Sequence, residues 1–220
     1  MRLWARAASV LGQSLLPRGR CQEAAAVQKQ ALRLCRRHLG EDHPEVVTIE
    51  NNQAVVYKYL GRFAAAARLY QHALQVVTKQ LGPQHPEVAT ILHNLGGLFH
   101  AQFRFKKAEP YARQAVAVRS KALGPDHPHV AADQAALAVI LEGLGQLDEA
   151  ERLYLQALEV FSKSSGPMQY ELCITLNNLA ALKHQRGQAE EAAQLYDRVL
   201  RMKQDLLGRQ HPDVAMTLNN

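Results

Sequence analysis

Ten histidines are the residues of this chain best suited to ligate a metal or move a proton. Four of them, His43, His85, His127 and His211, stand directly before Pro44, Pro86, Pro128 and Pro212. They fall on a single period of 42 residues. A metal needs ligands that converge on one point, whereas residues on a fixed long period occupy equivalent loops, one per period. These histidines therefore read as turn and helix-start residues. His127 and His129 are neighbours, but no Cys, Asp or His follows them in a recognisable ligand spacing. Cys21, Cys35 and Cys173 share no metal-type spacing, and an odd, sparse count makes no disulfide framework. They read as small core fillers in a reducing interior. The chain has no G-x-S-x-G, no H-E-x-x-H and no Gly-rich phosphate loop after a strand. The expectation is a chain that is not an enzyme, with no catalytic residues, no metal site and no cofactor.

The elements that position these loops follow from the same period. Gly40, Gly82, Gly124, Gly166 and Gly208 keep a 42-residue step, and so do Ala24, Ala66, Ala108, Ala150 and Ala192. Gly19, Gly61, Gly145 and Gly187 form a third column, with Phe103 in the missing place. Tyr170 replaces one proline of the fourth. Self-similarity of this kind marks a repeat architecture. The copies are expected at 2–40, 44–82, 86–124, 128–166 and 170–208, with a partial copy at 212–220. Because the last copy stops about two turns into its first helix, the chain is expected to be a single array, 1–220, that is part of a longer array or protein.

Each copy reads as two helices. Val88, Ile91, Leu92, Leu95, Leu98 and Phe99 recur at spacings of three and four, the period of an amphipathic helix. Pro86 suits a first helical position, and Glu87 complements the positive end of the helix dipole. Tyr154, Ala157, Leu158 and Phe161 form the stripe of a second helix. A bulky residue at positive φ costs on the order of 1 kcal/mol, so the turn at Phe103 is expected to take another geometry. The alanine column implies a close helix crossing in every copy. No copy can bury its stripe alone, and stacked copies cover each other.

Composition agrees with a folded chain of this kind. Hydrophobic residues are 47% and aromatics only 6%, so the core is built from Ala, Leu and Val. The formal net charge of +6 is too diffuse to name a nucleic acid. No apolar run reaches the roughly 18 residues a membrane span needs. Arg2, Arg6, Arg18 and Arg20 stand in an acid-free start that is similar to a mitochondrial presequence. The repeat register runs through it, so the segment reads as a helix of the fold. The expected location is cytoplasmic, with mitochondrial as the alternative.

Leu81-Gly82-Pro83-Gln84-His85-Pro86-Glu87-Val88-Ala89 and Leu123-Gly124-Pro125-Asp126-His127-Pro128 form a recurring linker. Thr175-Leu176-Asn177-Asn178-Leu179-Ala180 and Glu149-Ala150-Glu151-Arg152-Leu153-Tyr154 stand in the first and second helices. These strings resemble the tetratricopeptide repeat, in the 42-residue form of the kinesin light chains. The resemblance implies an all-α, right-handed superhelical solenoid of helix-turn-helix repeats. It further implies that the first helix of each pair lines a concave groove that holds extended peptides.

That resemblance puts Asn51, Asn52, Asn94, Asn177, Asn178, Asn219 and Asn220 in two adjacent columns of the groove helix, with His93 beside Asn94. An asparagine amide offers a donor and an acceptor to a peptide backbone. Lys58, His100 and His184 share a further column and give the groove a basic side. Asn51 and Asn177 lean to the groove. Asn52, Asn94 and Asn178 suit either the groove or a bond across to the neighbouring repeat. The third full copy departs, with Ala135 and Ala136 in the asparagine columns and Glu142 in the basic one, which suggests a small apolar pocket. The expected function is an adaptor for a protein or peptide, acidic with an apolar anchor. The alternatives are an RNA-binding helical repeat and an architectural spacer. Arg33, Arg36 and Arg37 cluster at one helix end, where they are expected to complement the C-terminal carbonyls.

Overall fold

The computed structural model describes residues 7–218 apart from 8, 9, 13, 17, 165, 167, 209 and 210. Arg2, Arg6, Asn219 and Asn220 lie outside the described residues. Every regular element among those described is α-helical. The chain forms two compact units, Met1–Val118 and Arg119–Asn220. The first contains α1 (Cys21–Leu39), α2 (Pro44–Tyr59), α3 (Phe63–Leu81), α4 (Pro86–His100) and most of α5 (Phe105–Leu123). The second contains α6 (Pro128–Gly143), α7 (Leu147–Ser162), α8 (Met168–Gln185), α9 (Ala189–Leu207) and α10 (Pro212–Leu218).

The histidine column starts the helices. His43, His85 and His127 are the N-cap residues of α2, α4 and α6, each followed by its proline at the first helical position. Their Nδ1 atoms accept from the backbone N–H of Glu45 at 3.2 Å, Glu87 at 3.2 Å and His129 at 3.1 Å. His211 does the same for Asp213 at 3.2 Å. An imidazole thus satisfies an N–H that has no partner inside the helix.

Helices α1, α3 and α9 end on glycines, and Gly82 at φ 87 is representative. The turn at Phe103 corrects the sequence expectation. Phe103 sits at φ 56, beside φ values of 68 at Gly61 and 77 at Gly145. Its N–H bonds His100 O at 2.8 Å, as the Gly61 N–H bonds Lys58 O at 3.1 Å. The repeat imposes the left-handed turn on a phenylalanine, which bears the cost and remains 82% exposed.

Within the first unit, Val77 of α3 packs with Ile91, Leu92 and Leu95 of α4 in one cluster that also holds Tyr70. Ala66 and Ala108 are fully buried. A Cβ on Gly96 would meet Ala112 Cβ at 3.5 Å, ordinary van der Waals contact. In the second unit, Ala157 and Phe161 of α7 pack with Leu172 and Leu176 of α8 and Val199 of α9. Fully burying one such Leu or Phe stabilises by about 1.5–3 kcal/mol, and these residues fix the pitch of one helix against the next.

Two charged pairs interrupt this apolar pattern. Glu50 of α2, with no exposed surface, accepts from Arg36 at 2.5 Å and contacts His72 Nδ1 at 2.7 Å. Arg36 therefore reaches across to a carboxylate on the following helix, which the expected role at its own helix end did not foresee. Arg119 donates to Asp133 at 2.6 Å, both buried.

Candidate functional site

The first helices of the pairs carry the candidate residues, and each unit holds its own set. In the first unit, α2 presents Asn51, Asn52 and Lys58, and α4 presents His93, Asn94 and His100, all half-buried. The Asn94 amide donates to Asn51 Oδ1 at 2.8 Å, and the Asn51 amide approaches Asn52 Oδ1 at 3.4 Å. Asn94 thus bonds across to the preceding repeat.

Lys58 and His100 come together at the turn ends of α2 and α4. The Lys58 amine lies 3.8 Å from where a Cβ on Gly97 would stand, and 5.3 Å from the centre of the Tyr59 ring. Among the described residues no carboxylate pairs with it. Burial pushes the Lys58 ammonium below its ordinary range. Burial, with Lys58 nearby, pushes His100 down as well, which favours its neutral form. The Lys58 ammonium is therefore held half-desolvated with no counter-charge among the described residues. An aromatic group flanks this end: Phe99 stacks on Tyr111 at 5.5 Å, and His100 is tilted on Phe105 at 5.6 Å.

In the second unit, α6 places Glu142 where α2 has Lys58 and α4 has His100. The buried Tyr154 hydroxyl of α7 donates to Glu142, and the Asn178 side chain of α8 hydrogen-bonds the same hydroxyl. Burial raises the Glu142 carboxyl, partly offset by the Tyr154 bond. Burial also pushes the Tyr154 hydroxyl up, reinforced by Glu142. Asn177 is half-buried and His184 is exposed. Ala135 packs against the cluster of Phe161, Leu172 and Leu176.

Sequence reasoning assigned Tyr154 to the apolar stripe and missed its hydroxyl. The signal was available: Glu142 stands twelve residues before Tyr154, as Lys58 stands twelve before Tyr70. The Tyr70 hydroxyl is buried without a hydrogen-bond partner among the described residues. No group of three or more potential metal ligands occurs among the described residues. No helix there is long and apolar enough to cross a membrane.

Family models for the tetratricopeptide repeat match residues 5–78, 45–121 and 104–163, and a further one matches 172–213. The chain belongs to the tetratricopeptide repeat family, and its helical hairpins form a scaffold for protein–protein interaction. No curated protein sequence matches it. Among solved structures it is similar to nearly identical TPR-like repeats ascribed to a kinesin light chain of Podosopora anserina. That likeness has 24% identity and a TM-score of 0.73, and it covers 94% of this chain and 98% of the other. It is also similar to BtubC (BKLC) from P. vanneervenii, at 25% identity and a TM-score of 0.75, over 93% of this chain and 81% of that one. A Rap protein complexed with Competence and Sporulation Factor shares the fold at 17% identity and a TM-score of 0.77, over 91% of this chain and 54% of its own.

Proposed function

We propose that this tetratricopeptide repeat chain is an adaptor that holds an extended peptide, or an extended segment of a partner protein, along its first-of-pair helices. The ligand is acidic with an apolar anchor. The observation that carries this reading is Lys58: a half-buried ammonium with no carboxylate partner among the described residues, next to His100. A desolvated cation gains most from a carboxylate brought by a ligand, because the pair forms where water screens it least. The asparagines supply amide donors and acceptors for a peptide backbone, and the Phe99 and Tyr111 rings supply an apolar neighbourhood. The chain acts by binding and performs no reaction. The kinesin light chain likeness and the Rap protein, solved with its factor bound, support a ligand-holding role for the fold.

The test is a peptide-library selection on the chain, repeated with Asn94→Ala and Asn177→Ala combined. Hits should bind the double variant about 1–3 kcal/mol more weakly if each amide makes a buried bond to the ligand, with helix content unchanged. Hits that persist undiminished reject the groove. A double variant that no longer folds shows instead that these amides hold the stack, as the bond between Asn94 and Asn51 already does in part.

A further inference from the structure

We infer that the second unit carries a subsite for a cationic side chain, Lys or Arg, of the bound segment, built on Glu142. This rests on the groove reading and names a second charge preference within it. Glu142 is half-buried, and among the described residues no Lys, Arg or His pairs with it. Among the described residues its hydrogen-bond donor is the Tyr154 hydroxyl, itself bonded by Asn178. A neutral hydroxyl orients a carboxylate but leaves its charge uncompensated. The remaining lone pairs are acceptors for an ammonium or guanidinium. Half-buried Val139 and Ala135 stand three and seven residues before Glu142, on the same face of α6. An aliphatic lysine or arginine stem can lie along them while its head reaches the carboxylate. Ala135, where α2 has Asn51, thus offers an apolar surface to a stem in place of an amide to a peptide backbone.

The repeat makes this more than a local oddity. Lys58, His100, Glu142 and His184 occupy one column, and the column changes sign at Glu142. Among the described residues, Lys58 has no carboxylate partner and Glu142 no basic one.

The experiment is a selection of random dodecapeptides on the full chain and on Glu142→Gln, Glu142→Lys and the Asn94→Ala/Asn177→Ala variant. Peptides won on the wild type should carry Lys or Arg at one fixed place. Replacing that residue by norleucine or citrulline, or the protein by Glu142→Gln, should each weaken binding about tenfold. Combining both changes should add little. Selection on Glu142→Lys should exchange the basic residue for Asp or Glu. If Glu142→Lys fails to fold, the conservative Glu142→Gln variant carries the test. Hits that need Asn94 and Asn177 but lose nothing in Glu142→Gln overturn this inference and leave the groove reading standing. Hits indifferent to the asparagines overturn the groove reading, and an empty selection counts against both.

Discussion

Glu142 is informative because its environment disfavours its charge. Burial holds its pKa above the ordinary carboxylate value, and the Tyr154 bond only partly offsets this. A carboxyl whose folded pKa exceeds its unfolded one favours folding below the unfolded pKa, and that contribution is lost as pH rises through the folded pKa. At neutral pH the ionised Glu142 is therefore less favourable to folding than a neutral amide of the same shape. Glu142→Gln should melt higher than the wild type at pH 7. The difference should close as pH falls from the raised folded pKa to the ordinary carboxylate value, below which both side chains are neutral. Thermal melts across that range check this. A lower melting temperature for Glu142→Gln at pH 7 would make the carboxylate a structural partner of Tyr154, with no ligand to await. Lys58 shows the same logic with opposite charge: it too is held desolvated, which is the basis of the proposed preference for a ligand carboxylate.

At the scale of elements, the helix pairs were readable because each has a twin 42 residues away. The capping histidines, the alanine crossings and the glycine ends all stand in repeated columns. The buried charges were not readable, because each occurs in a column that other copies fill differently. Arg119 and Asp133 stand where α3 and α4 have Val77 and Ile91, which pack in the apolar cluster. Glu50 stands where α4 has Leu92. The candidate site was legible in part for the same reason. The asparagine and Lys/His columns repeat, whereas the bonds of the Tyr154 hydroxyl to Glu142 and Asn178 depend on a glutamate that occurs in one copy of its column. Phe103 was misjudged because a local preference was weighed against a turn that the neighbouring helices impose.

The Arg119–Asp133 pair yields a sharp expectation. Breaking a buried pair leaves one charge uncompensated, whereas replacing both partners with apolar residues is often neutral or stabilising. Asp133→Ile alone should lower stability by about 3–5 kcal/mol. Adding Arg119→Val, which restores the α3–α4 combination, should recover most or all of it. Denaturant unfolding of the single and double variants measures the difference. A double variant as unstable as the single one would show that the pair contributes more than mutual neutralisation.

For the molecule as a whole, the central claim is that the first-of-pair helices, and not the exposed faces of the second helices, receive the ligand. The chain's diffuse net charge of +6 does not locate binding. The proposed reading places it on half-buried groups of one column, Lys58 and His100 in the first unit and Glu142 in the second. The most direct measurement is an NMR titration of the isotope-labelled chain with a selected peptide, read residue by residue and repeated on Lys58→Glu. The account predicts that shifts centre on Asn51, Lys58, Asn94 and His100, with Glu142 and Asn178 responding where the peptide carries a basic residue. Lys58→Glu should weaken an acidic peptide by at least about tenfold, as reversing a desolvated charge opposite its partner requires. Shifts centred instead on exposed residues of the second helices, such as Arg68 of α3 and Leu155 of α7, with Lys58→Glu binding as the wild type does, would contradict it.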